Sequence, residues 1–124
     1  FLCDNKGVDK MIVGADRIAL NGDTANKIGT YMIALCARRY NLPFLVAAPV
    51  SSFDPRIPNG TYIQIEERSG DEVKSIRGVP IMADEIRARY FSFDVTPARY
   101  VSSFITERGI IEKPFTKYIK MLFR

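Results

Sequence analysis

The 124-residue chain has no histidine and no tryptophan, and its only cysteines are Cys3 and Cys36. Without histidine these residues hold no His-based zinc site, no Ser-His or Cys-His nucleophile and no imidazole proton shuttle. Proton transfer must fall to carboxylates, lysine, tyrosine or cysteine. The two cysteines lack the paired spacing of a metal or redox site. Cys36 lies on the apolar face of a predicted helix, so both read as buried free thiols in a reducing compartment. No apolar run approaches the ~20 residues that span a bilayer, and no membrane role is expected. Repeats, low-complexity stretches and linkers are also missing. The net charge is +4, but basic residues are scattered among acids and only the last dozen residues are clearly cationic. A nucleic-acid face clusters its cations and, for single strands, interleaves aromatics, so no nucleic-acid partner is expected.

What remains is the composition of an ordinary globular domain, 47% apolar and 26% charged, long enough to bury one core. The chain opens on Phe1, and Phe1 to Gly7 reads as the last turns of a helix closed by Gly7. The expectation is that residues 1–124 are one domain cut from a larger protein.

The run from Val13 to Thr30 (VGADRIALNGDTANKIGT) carries the most information. A buried strand from Lys10 to Ala15 enters a polar, glycine-containing loop and then a helix predicted over 24–40. Asp16 falls where the strand stops. In open α/β sheets, ligands sit at the carboxyl ends of strands beside the helix N-termini that follow. Asp16 is therefore the candidate proton-transfer group. With Asp23 or Thr24 as cap, Lys27 lies in the first helical turn, where the macrodipole disfavours a cation unless a bound anion reverses the sign. Lys27 is either a phosphate ligand or a solvated side chain, and Asn26 either donates to the same anion or shares the capping. Gly29 fits close packing or close approach by a ligand.

Further along, Ala25, Ile28, Met32, Leu35 and Cys36 share a helical face. Phe44 to Ala48 reads as a strand buried on both sides, completing a βαβ unit. Ser51 and Ser52 follow it on the same rim as Asp16. Residues 61–66 alternate loosely as a third strand. Glu66 and Glu67, as strand neighbours, point to opposite faces, and an ion pair with Arg68 suits them better than shared chemistry. Ser69 to Val73 looks like a helix start. Phe91 to Pro97 ends a strand, with Asp94 either facing a ligand or, the preferred reading, stabilising the turn. Thr96-Pro97 predicts a helix to about Glu107, closed by Gly109, and Phe115 to Arg124 a docking helix. The expected class is α/β, a Rossmann-like, mostly parallel doubly wound sheet.

Several of these motifs go beyond generic pattern. Gly14-Ala15-Asp16-Arg17-Ile18, Asn21-Gly22-Asp23-Thr24-Ala25-Asn26-Lys27-Ile28-Gly29-Thr30, Ser51-Ser52-Phe53-Asp54, Ile65-Glu66-Glu67-Arg68-Ser69 and Phe93-Asp94-Val95-Thr96-Pro97 occur in this order. From about residue 8 to 111 the chain resembles the methylthioribose-1-phosphate isomerases of methionine salvage. The resemblance implies the carboxyl-terminal, Rossmann-like domain of a two-domain, homodimeric cytoplasmic aldose–ketose isomerase, nuclear as well if the source is eukaryotic. It implies a phosphorylated sugar substrate, no metal and no organic cofactor. By the same resemblance Asp16 matches the family's active-site aspartate, and Asn26 and Lys27 its substrate-binding pair. The family's catalytic cysteine, in a Thr-x-Cys-Asn-Thr-Gly motif, has no counterpart here, nor do its amino-terminal phosphate-gripping arginines, and Tyr90-Phe91 stands where Asn-Pro is usual. These residues alone are therefore expected to be inactive. Two rivals share the fold: a ribose-1,5-bisphosphate isomerase, and the regulatory subunits of the translation-initiation exchange factor, which resemble the chain in Asn-Lys-Ile-Gly-Thr.

Overall fold

A computed structural model describes residues 3–4 and 7–124. The helix expected before Gly7 falls mostly outside the described residues. Strand β1, Met11–Val13, opens a parallel core. Strands β2, Arg17–Ala19, and β3, Thr24–Lys27, follow, then helix α1, Thr30–Arg39, and strands β4, Phe44–Ala47, and β5, Phe53–Asp54. Short pairs come next: β6, Glu67–Arg68; β7, Ser75–Ile76; β8, Val79–Pro80; and β9, Tyr90–Phe91. The chain closes with β10, Phe93–Thr96; β11, Ser103–Thr106; β12, Gly109–Ile111; and α2, Phe115–Met121.

The first sheet runs β1-β4-β11-β12, with β1, β4 and β11 parallel and β12 antiparallel at the edge. The predicted βαβ unit is β1–α1–β4, and its parallel strands give the α/β class. A second sheet, β10-β3-β2-β5, was not foreseen; only its β2–β5 pair is parallel. β6 pairs with β9 and β7 with β8 as separate ribbons. The main core joins the sheets through Ile18, Phe44, Val46, Phe53, Val101 and Phe104. Phe104 meets Phe53 and Phe115 edge-on, with ring centroids 5.4 and 4.8 Å apart, the geometry favoured by the ring quadrupole.

Three expectations are corrected. Residues 24–27 form a central strand, paired on both sides by β2 and β10, and α1 starts only at Thr30. Gly29, at φ +105, makes the corner, and a Cβ there would meet nothing within 4 Å, so its conformation and not close packing calls for glycine. The helix expected from Thr96 to Glu107 is one 3-10 turn, Ala98–Tyr100, followed by β11, because Phe104 is needed in the core between β4 and β12. Residues 61–66 carry no ladder; Ile63 and Ile65 still point inward to a small second core with Ala19 and Ala25, while Tyr62 and Gln64 face solvent.

The buried face of α1 also differs. Thr30, Ala34 and Ala37 are buried, whereas Met32, Ile33, Leu35 and Cys36 face out. Small residues at positions 34 and 37 let the helix lie close on β1 and β4 and turn its bulkier apolar side chains outward. Cys36 is thus exposed and Cys3 half-buried, not core thiols. The described residues include no helix long and apolar enough to cross a membrane.

Candidate active site

The carboxyl rim of the parallel strands is built by three turns. After β1 the chain passes Gly14 and Ala15 to Asp16, whose N–H donates to the Ala25 carbonyl at 2.9 Å. Arg17 is the residue paired with Ala25, so two successive residues address one on β3, as at a β-bulge, a device that re-aims side chains. The Asp16 carboxylate is exposed on a ridge between two clefts. The larger, about 470 Å³, is lined by Asp16, Arg17, Ser51, Asp54, Arg56 and neighbours. The smaller, about 180 Å³, is lined by Asp16, Arg17, Gln64, Ile65, Phe93 and neighbours.

Asn26 and Lys27 end β3, opposite Asp94 and Phe93 on β10. The Asn26 side-chain amide donates to the Thr30 hydroxyl at 3.0 Å, and that hydroxyl donates to the Lys27 carbonyl at 2.7 Å. Thr30 thereby ties the end of the strand to the start of α1. The Lys27 ammonium lies 5.8 Å over the Phe93 ring, and Phe93 is a wall of the smaller cleft. Asp16 lines this cleft from the turn before β2, and Lys27 reaches only its Phe93 wall. Among the described residues no carboxylate forms an ion pair with Lys27.

Lys27 precedes the helix, so the dipole argument does not apply to it. The α1 N-terminus is occupied by the protein itself: Asp94 accepts the Gly29 N–H at 2.7 Å and the Tyr31 N–H at 3.1 Å. The turn-stabilising reading of Asp94 holds, and its role is that of a helix cap supplied from a neighbouring strand.

The third turn, Val50–Ser52, is fixed by Glu107, whose carboxylate accepts the Val50 N–H at 2.9 Å. Ser52 donates to the Ala15 carbonyl at 3.3 Å and so serves the backbone, while Ser51 is exposed in the larger cleft. Asp54, 8% exposed, accepts from Arg56 at 2.9 Å through both oxygens and from Arg17 at 3.1 Å. The Arg56 hydrogen bond outweighs burial and holds the Asp54 carboxyl down at about 2. Asp54 thus remains ionised and sets the direction of both guanidinium groups.

Asp23, expected as a helix cap, instead accepts N–H groups from Gly60 and Ala98, each at 2.8 Å, and so ties three loops together. Glu67 pairs with Arg89 at 2.7 Å and Arg68 with Glu72 at 2.9 Å; the ion pair expected between these glutamates and Arg68 does not form, because the strand partner β9 brings Arg89 to Glu67 and Arg68 turns to the following 3-10 turn. Asp54, Glu107 and Asp23 were not legible as neighbours of the rim. Their only sequence signal is a carboxylate beside turn residues. Among the described residues no cluster of three or more His, Cys, Asp or Glu is placed to hold a metal ion.

Comparison with known proteins gives a consistent pattern. The sequence profile described as the Initiation factor 2 subunit family matches residues 2–113. Methylthioribose-1-phosphate isomerase of Acetivibrio thermocellus is 50% identical over 97% of this chain and 37% of its own length. The enzyme of the same name from Geobacter metallireducens is 51% identical over 91% of this chain and 33% of its own length. The crystal structure of 5-methylthioribose 1-phosphate isomerase from Pyrococcus horikoshii OT3 superposes with a TM-score of 0.91 at 47% identity, covering 99% of this chain and 34% of that one. Translation initiation factor eIF-2B, subunit delta, from A. fulgidus gives 0.88 at 36% identity, covering 99% and 36%. The chain thus spans about a third of the length of the curated relatives it matches.

Proposed function

Because the chain belongs to the Initiation factor 2 subunit family, we propose that it is the Asp16-bearing part of an aldose–ketose isomerase. The reaction is conversion of 5-methylthioribose 1-phosphate to 5-methylthioribulose 1-phosphate in methionine salvage. The observation that carries this reading is Asp16 itself, exposed in the turn after β1 and lining a cleft whose Phe93 wall lies beside the Lys27 ammonium. Relatives of that name at about 50% identity support it.

The anomeric oxygen of this substrate is esterified, so its ring cannot open as a free sugar's does. Breaking the ring C–O bond needs a general acid, and hydrogen must then move between C2 and C1. Asp16 exchanges a proton with the ring oxygen or the C2 hydroxyl. Lys27 supplies a mobile cation for the phosphate and Asn26 an amide donor, terms of orientation and not of bond making. The cysteine and arginines that the family resemblance adds come from the remainder of the protein, and these residues alone are inactive. The protein works as a cytoplasmic homodimer, and the outward apolar face of α1 is a surface the assembled enzyme covers. No organic cofactor takes part.

Incubation of the whole protein with 5-methylthioribose 1-phosphate and, separately, ribose 1,5-bisphosphate, following ketose formation, tests the reading. Ketose from the first alone is expected. Ketose from the second alone identifies the bisphosphate enzyme. Ketose from neither identifies a binding subunit like the initiation factors, a reading to which the A. fulgidus likeness points, at lower identity than the isomerase.

A further inference from the structure

A second charged cleft, about 330 Å³, lies at the other edge of the parallel sheet. Pro43, before β4, and Ser102, before β11, line it, so it sits at the amino ends of the strands, whereas Asp16 and Ser51 follow the carboxyl ends of β1 and β4. Three cations converge here from separate elements: Arg38 from the last turn of α1, Arg99 from the 3-10 turn Ala98–Tyr100, and Lys113 from the loop before α2. No carboxylate lines the cleft.

The contacts within it position these groups without neutralising them. The Lys113 ammonium donates to the Arg99 carbonyl at 3.3 Å, and the Arg99 guanidinium donates to the Tyr100 hydroxyl at 3.4 Å. Among the described residues none of the three cations has an ion-pair partner. The carboxyl end of α1 gives Arg38 partial compensation, but Arg99 and Lys113 belong to other elements. Like charges brought into one concavity repel unless an anion joins them. Hydroxyl donors are also at hand. Ser102 accepts the Phe44 N–H at 3.1 Å, which leaves its own proton to donate, and Tyr100 lines the same wall.

We propose that this cleft is a second anion site, separate from the Asp16 rim, that takes the phosphate group of a small molecule between Arg38, Arg99 and Lys113. Arg and Lys side chains with hydroxyl donors in a small concavity match the charge and acceptor count of a phosphate dianion. The hydrogen bond from Arg99, and then that from Tyr31, hold the Tyr100 hydroxyl below its ordinary range. The site does not depend on the isomerase reading.

The test uses the whole protein with Lys27→Ala, which weakens phosphate binding at the other rim, and two probes, inorganic phosphate and glycerol 3-phosphate. Thermal midpoints are measured against probe concentration, with and without the added pair Arg38→Gln and Lys113→Gln. Both side chains are exposed, so their replacement spares the core. At least one probe should raise the midpoint, with apparent affinity at least tenfold weaker in the added pair; the preferred probe tells free phosphate from an ester. Independently, in the unmutated protein, phenylglyoxal should modify Arg38 and Arg99 freely and be slowed by the probe. No midpoint shift with either probe, or a shift that the added pair leaves unchanged, overturns the proposal. So does shielding of both arginines without probe, which would mean that another part of the protein fills the cleft.

Discussion

Asp94 accepts the backbone N–H of Gly29 at 2.7 Å, across 65 residues of sequence. With the Tyr31 N–H also bound, one carboxylate on β10 closes the start of α1 and fixes the corner that presents Asn26 and Lys27. Asp94→Ala should cost about 1–2 kcal/mol, the scale of a lost helix cap with unpaired donors. Asp94→Asn, which keeps one acceptor oxygen, should cost less. Urea unfolding of both variants checks the order.

Asp23 should matter more than its loop position suggests. Its carboxylate holds the Gly60 and Ala98 N–H groups, and Gly60 is buried. Asp23→Ala leaves both donors without this partner and should destabilise by about 2–3 kcal/mol, read as a lowered urea midpoint with an unchanged slope.

Gly29→Ala isolates backbone conformation from packing. The site is open but its φ is +105, so an alanine should cost about 1 kcal/mol without filling or opening the core. Because the strain falls at the corner after Lys27, KM for the sugar phosphate should rise more than kcat falls.

The fold should show an acid limb that traces to Asp54. Its folded carboxyl sits at about 2, below the ordinary ~3.9 of an unfolded aspartate. Its contribution is therefore complete above about pH 5 and is lost as pH falls through about 2. Both arginine partners face solvent, which limits the effect to on the order of 1 kcal/mol. Thermal midpoints between pH 5 and pH 2 should fall more steeply for the native sequence than for Asp54→Asn.

The β1–α1–β4 unit was legible because continuous apolar strands and a long amphipathic helix leave strong periodic signals. Asp16 was legible as a carboxylate near the end of the first strand, although β1 stops earlier, at Val13, and Asp16 sits in the turn before β2. The run 24–29 was misread because its helical spacing is coincidental. The pairing of Thr24 to Lys27 with two strands distant in sequence decides its conformation, and no local pattern encodes such partners. The outward face of α1 was missed because large apolar residues dominate a periodicity count, whereas Ala34 and Ala37 set the packing. Glu107 and Asp23 work on backbone N–H groups brought near only by folding, which leaves no spacing signature; Asp54 has Arg56 two residues on, but its pairing with Arg17 is set by the fold.

On the proposed function, Asp16 exchanges a proton with a sugar phosphate held beside it. Turnover and binding of 5-methylthioribose 1-phosphate by the whole protein carrying Asp16→Asn decide whether it does. Turnover should fall at least ~100-fold, the scale of general acid–base catalysis, while the dissociation constant stays within a few-fold of the native value. Turnover equal to that of the native protein would contradict the account.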